Sequence, residues 1–268
     1  MLIFGILIAV FTSGFTLSRE ISGGTASAAV SKPVSRTLFL LGKFFGAFCI
    51  ILLFVYCQTL AILFAERSSE RYIENVNFAG YVKDVYCGIA AMAMPVLALA
   101  LAAFVNWWKM RRFGLWFFLF LALLQTTLFI SSGLFSLEGS WNGFAEYALA
   151  MDFRILPATF LIMLLLMIFA AIATALSTRL QTGAAIATAF IILFLGFLAD
   201  SVFSGAGAVT QTLYAIVPDV QHFWVADSLG GGGTIPTQFV ARATIYALTY
   251  VAFVLTLGSI SFKTRDLG

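Results

Sequence analysis

Seven apolar runs, each close to or beyond the length that crosses a bilayer, constrain this chain more than any other feature. A hydrocarbon core of about 30 Å needs about 20 apolar helical residues. Runs of that order occupy 1–17, 38–65, 85–107, 113–136, 155–177, 183–204 and 241–262. Between them no stretch is long enough to build a soluble domain. Charged residues are only 10% of the chain and hydrophobic ones 62%, with a mean hydropathy of +1.02. A soluble domain carries about a quarter charged residues, so this chain has too little polar surface to cover a water-soluble globule, which excludes a soluble enzyme. The expected fold is all-α: a polytopic α-helical membrane protein with seven transmembrane helices in this chain. The run 38–65 is long enough to tilt or project beyond the lipid. Small residues inside the runs, such as Gly183 to Ala185 and Ala171 to Ala175, suit close helix contact.

Orientation follows from the basic residues of the short loops. With seven spans, one side holds Arg19, Lys32, Arg36, Lys43, Lys109, Arg111, Arg112, Arg179, Lys263 and Arg265. The other holds Arg67, Arg71, Lys83, Arg154 and Arg242. Ten against five makes the first side, and with it the C terminus, cytoplasmic. Of the twelve acidic residues only Glu20 and Asp266 fall on that side. The first run starts at Met1 with no basic flank, and no small-residue cleavage site follows it, so it does not read as a secretory signal. An N terminus on the outer side with nothing translocated behind it points to a preceding helix outside this chain, which would make eight spans.

Loops carry most of the specific signal in such a protein. The inner loop 18–37 reads as a short helix framed by breakers. Gly23 and Gly24 interrupt the incoming helix, and Thr25 or Ser22 can cap a new one. Lys32 falls in its last turn, where a cation complements the helix dipole, and Pro33 ends it. An ordinary positive-inside connection would carry the same charges.

The string from Ser18 through Gly46, SREISGGTASAAVSKPVSRTLFLLGKFFG, resembles the first cytoplasmic loop of the ABC-2 type permeases. The matching residues are Arg19, Glu20, Gly24, Thr25, Ser31, Lys32, Pro33, Val34, Ser35, Arg36, Gly42 and Lys43. The C-terminal part is similar to the same family in Val217-Pro218-Asp219, Phe223 to Asp227, Ile235-Pro236, Tyr246, Tyr250 and Phe262 to Leu267. Ala175 to Arg179 with Gly183 is a weaker match. Family members commonly have six spans, the first preceding the stretch that matches 1–17. This chain lacks that helix and carries an extra pair around 85–136, where only hydropathy guides the reading.

The resemblance implies a single transmembrane domain over 1–268, the permease subunit of an ABC transporter and an exporter. Two permease subunits, identical or different, would pair in a bacterial cytoplasmic (inner) membrane. Each would dock on a separate cytoplasmic ABC ATPase that holds ATP and Mg, while this chain binds no cofactor. Loop 18–37 would be the coupling element, through Arg19, Glu20, Gly24, Thr25, Lys32, Pro33, Ser35, Arg36 and Lys43. Loop 205–240 would be an extracytoplasmic re-entrant or interfacial segment, with Pro218, Asp219, Phe223, Trp224 and Asp227 as a gate and Phe223 and Trp224 at headgroup level. A non-transport anchor or assembly subunit, lending the same ATPase to mechanical or secretory work, would show the same docking loop.

The remaining residues fit this reading. No GxxxxGK[ST] phosphate loop is present, and Gly230 to Gly233 lie on the outer side with no lysine after them. No HExxH or GxSxG marks a membrane enzyme. Glu66, Asp84, Asp200 and Arg242 fall at helix ends, so the spans lack the central titratable groups of an ion antiporter. Gln58-Thr59 and Gln125 to Thr127 are the most embedded polar clusters, explained by hydrogen bonds between helices. His222 is the one histidine, and with Asp219 and Asp227 it does not make a recognised metal-ligand set. Cys49, Cys57 and Cys87 show no CxxC spacing and are expected to be buried reduced thiols.

Overall fold

The computed structural model describes residues 1–22, 35–75, 78–110, 112–135, 141, 143, 151–199, 217–225 and 233–264, and of 15–22, 71–79 and 82 the backbone alone. Seven α-helices lie in this range: α1 (Leu2–Ser22), α2 (Arg36–Arg67), α3 (Val85–Lys109), α4 (Phe113–Gly133), α5 (Ile155–Leu176), α6 (Thr182–Phe197) and α7 (Thr237–Lys263). Each coincides with one apolar run, with ends shifted by a few residues. The helices α2, α3, α4, α5 and α7 are long and apolar enough to cross a membrane. In α1 the side chains described, those up to Gly14, are a shorter apolar stretch, and α6 has 16 residues. Among the described residues five spans therefore stand on length and composition, against seven expected.

The lipid-facing character is visible on the surface. Met92 is 82% exposed, and Ile89, Val96, Leu123, Ile245 and Phe253 are also well exposed. Water-soluble proteins rarely show contiguous apolar faces of this kind. The chain is an integral membrane protein.

It divides into two compact units, residues 1–52 with 157–268 and residues 53–156, the boundary falling inside the continuous helix α2. In the first unit α1 packs on α6, and α5 is the most buried of the long helices. A side chain at Gly258 of α7 would meet Ala175 Cα and Cβ of α5 at 3.0 Å. The small residues thus bring two backbones close, as membrane helices do.

In the second unit α3 and α4 run alongside one another. Their connection turns at Met110, whose φ of 49° is left-handed and whose N–H closes α3 on the Asn106 carbonyl at 3.0 Å. This unit also holds a departure from all-α, an antiparallel hairpin of β1 (Arg71–Asn75) and β2 (Phe78–Val82), with Arg71 opposite Val82 and Asn75 opposite Phe78. The hairpin returns the chain to the end of α2. There Arg67, only 1% exposed, donates from Nε to Asp84 Oδ2 at 2.8 Å and from Nη2 to the Phe135 carbonyl at 2.9 Å. Asp84 Oδ1 accepts the Cys87 N–H at 2.8 Å and so caps α3. The extra pair of helices is thereby tied to α2. Just ahead of α5, hydrogen bonds from Arg154 to the Asp152 carboxylate push the arginine's pKa above its usual value.

Two sequence expectations need correction here. Residues 18–22 are the last turn of α1 rather than loop, and α2 begins at Arg36, so the connection is shorter than 18–37. Cys57 and Cys87 are buried, but Cys49 is exposed on the outer face of α2, because burial follows helix rotation and not hydropathy.

Candidate functional site

The C-terminal end of α7 is a meeting point for three helix ends of the first unit. A helix terminus leaves its last carbonyls without intrahelical partners and carries partial negative charge, so cations gather there. Ser35 caps α2 by accepting the Leu38 N–H on its hydroxyl at 3.2 Å. This fixes Arg36 at the first helical position, and its Nη1 donates to the carbonyls of Lys263 at 3.0 Å and Phe262 at 3.3 Å. One turn on, Phe39 stacks on Phe262 with centroids 6.1 Å apart, and Lys43 Nζ lies 5.4 Å from the Phe39 centroid.

The end of α5 arrives from another direction. Arg179 Nε donates to Ser261 Oγ at 3.0 Å, and its Nη2 donates to the Ser261 carbonyl at 3.0 Å and to Thr264 Oγ1 at 2.6 Å. Thr178 donates its hydroxyl to Ser261 Oγ at 3.0 Å. Two arginines from different helices thus hold the same stretch of α7 main chain. Ser35, Arg36 and Lys43 are brought together with Arg179 and Phe262. Arg19 and Glu20 lie in the last turn of α1, and Gly24, Thr25, Lys32 and Pro33 fall outside the described residues. Arg179 and Ser261 were not expected as site residues; only the Ala175 to Arg179 string hinted at the first.

A second cluster occupies the other end of the unit. Asp219 donates its N–H to the Tyr246 hydroxyl at 3.3 Å, and its carboxylate accepts the His222 N–H at 3.1 Å, closing the 3-10 turn Gln221–Phe223. Gln221 Nε2 donates to the Phe197 carbonyl at 2.6 Å, joining this turn to the end of α6. At Gly196 an added Cβ would come within 2.6 Å of the Pro218 carbonyl oxygen, so only glycine admits the segment. Phe223 is fully buried against the Tyr246 ring, centroids 6.0 Å apart. Phe223 is therefore packed inside the protein, not displayed on its surface. Trp224 is partly exposed and edges Phe197 at 6.5 Å. The His222 ring lies 4.8 Å from the Phe239 ring. Asp227 and Asp200 fall outside the described residues, and so does most of 205–240; the end of that range, from Thr237, is already α7.

In the second unit the embedded polar residues meet the expectation of bonds between helices only at Thr126. Thr127 bonds back to the Leu124 carbonyl of its own helix, and the buried Gln125 Oε1 has no partner among the described residues. Tyr56 and Thr126 share a hydrogen bond of 2.6 Å between α2 and α4, and Thr59 bonds back to the Val55 carbonyl at 2.8 Å. Among the described residues no three of His, Cys, Asp and Glu converge as a metal site would require.

Architecture and clusters together define a polytopic helical membrane protein whose polar contacts concentrate at helix ends. No family model matches the chain, and none of the curated proteins or solved structures is significantly similar to it.

Proposed function

We propose that the chain is the permease subunit of an ABC transporter, an exporter that pairs with a second permease subunit and docks a separate ATPase carrying ATP and Mg. One observation carries the reading. Three segments that resemble the ABC-2 family at distant points of the sequence, Ser35 to Lys43, Arg179 and Phe262 to Thr264, meet around one helix terminus. In this reading that end is cytoplasmic and the membrane is the bacterial inner membrane.

The arrangement suits force transmission. The segment after α1 would bear on the ATPase, and Ser35 and Arg36 hand its movement to α2 and α7 together. Arg179 brings α5 along, so three helix ends move as one body. At the opposite end, the turn around Asp219 and Phe223 is fastened to α6 and α7, where parting of those helices would release it as a gate. The spans carry no central charge, which suits a hydrophobic or amphipathic cargo moved by conformational change.

The test is co-expression with any ABC ATPase encoded beside the gene, followed by purification and ATPase assay in vesicles. The complex should co-purify. Glu20→Ala or Arg36→Ala should lower the transport-coupled ATPase rate about tenfold, the equivalent of one charge-assisted hydrogen bond. Absence of any co-purifying ATPase, or full activity in both well-inserted variants, would sink the reading.

A further inference from the structure

Arg179 also stands at the mouth of a cavity of about 360 Å³ between α5, α6 and α7, within the span of about 300–1,000 Å³ typical of small-molecule sites. The walls are Ile172, Ala175, Ile192, Val254 and Leu257, with the Tyr250 ring at the far end. The cavity reaches from Ser261 to Tyr250 along α7, about 16 Å at 1.5 Å per residue. One leaflet of a hydrocarbon core of about 30 Å has the same depth.

Arg179 is the cation of the cavity's lining. Arg179 commits Nε and Nη2 to α7 and leaves Nη1 outside those bonds. Arg36 and Lys263 belong to the same helix terminus. Among the described residues no carboxylate pairs with Arg179 or Lys263. A guanidinium fork matches phosphate oxygens, and basic groups at a membrane face attract anionic lipids. An apolar protein face laid over the same mouth would leave the Arg179 charge without a counter-charge.

We propose that this cavity is a binding site for an anionic phospholipid, one acyl chain lying between α5, α6 and α7 and the phosphate against Arg179. The lipid is a resident of the chain, and its binding needs neither the ATPase nor transport, so the permease reading can fail while this one stands.

The test uses the full chain in nanodiscs without any partner. The probe is phosphatidylglycerol with a photoreactive group at the end of one acyl chain, and the control is phosphatidylcholine carrying the same group. Labelling by the glycerol lipid should concentrate on peptides containing Ile192 or Tyr250 and exceed the choline lipid about fivefold at equal mole fraction. Arg179→Gln should bring the two lipids to equality, and Arg179→Lys should keep part of the preference. Val254→Trp, which fills the cavity and leaves the arginine contacts alone, should remove labelling by both. Equal labelling by both lipids in the native chain would overturn the proposal, since ordinary annular lipid does the same. Labelling that survives Val254→Trp, or protein-to-protein cross-links in place of lipid adducts, would overturn it too.

Discussion

Arg67 shows how much one side chain can decide. Its guanidinium is removed from solvent and answered by Asp84 at 2.8 Å, while Asp84 also caps α3. Removing one partner of a buried pair strands the other, so Asp84→Ala should cost about 3 kcal/mol or more in thermal unfolding in detergent. Replacing both, Arg67→Met with Asp84→Leu, should recover most of that loss. By contrast, the exposed pair of Lys83 and Glu70 at 3.1 Å should tolerate Lys83→Ala within about 0.5 kcal/mol. A double replacement as damaging as the single one would refute the pairing argument. The sequence showed Asp84 at a helix end and Arg67 as an outer-side charge. That they meet was not legible, because the contact depends on a hairpin that folds the chain back.

At the scale of elements, helices were easy to read and the hairpin was not. An apolar run of 20 residues has one stable answer in lipid. The hairpin segment RYIENVNFAGYV is short, mixes charge with aromatics and contains no Asn-Gly or Asp-Gly signal. The apolar run continues to 204, of which 200–204 lie outside the described residues, while α6 itself covers Thr182–Phe197. Its 16 residues rise about 24 Å, which matches the distance along α7 between its two anchors, Ser261 near Arg179 and Tyr246 near Asp219. Close packing of α5 on α7 makes its own prediction. Gly258→Leu forces a side chain into Ala175 and should cost about 2 kcal/mol. Gly46→Ala in α2 meets nothing within 4 Å and should be neutral or stabilise by about 0.5 kcal/mol. Equal melting temperatures for the two variants would contradict that packing.

For the whole molecule, parity along the chain decides whether α6, too short for an ordinary span, crosses the membrane. Thr264 and Met110 are separated by α4, α5, α6 and α7, and Met110 and Tyr81 by α3 alone. In a background without native cysteines, each of the three is replaced by cysteine in turn and treated with a membrane-impermeant maleimide. If every intervening helix crosses, Met110→Cys and Thr264→Cys are labelled from one face and Tyr81→Cys from the other. If α6 turns back inside the membrane, Thr264→Cys joins Tyr81→Cys instead. The membrane class was legible in composition because exposed residues such as Met92 and Ile245 had no aqueous alternative. Which helix ends converge was not, because spans of equal hydropathy carry no record of their neighbours.

The arginine contacts at the end of α7 are made largely to peptide oxygens, those of Ser261, Phe262 and Lys263. Every amino acid supplies that oxygen. Any residue at 263 would serve this bond, so no correlated pair of changes would betray it, while Phe262 is held separately by its buried stack on Phe39. Methods that infer proximity from covariation will be blind to the Arg36 bonds. Replacing the amide after Lys263 with an ester, which weakens that carbonyl as an acceptor without altering any side chain, is the kind of chemistry that can feel it.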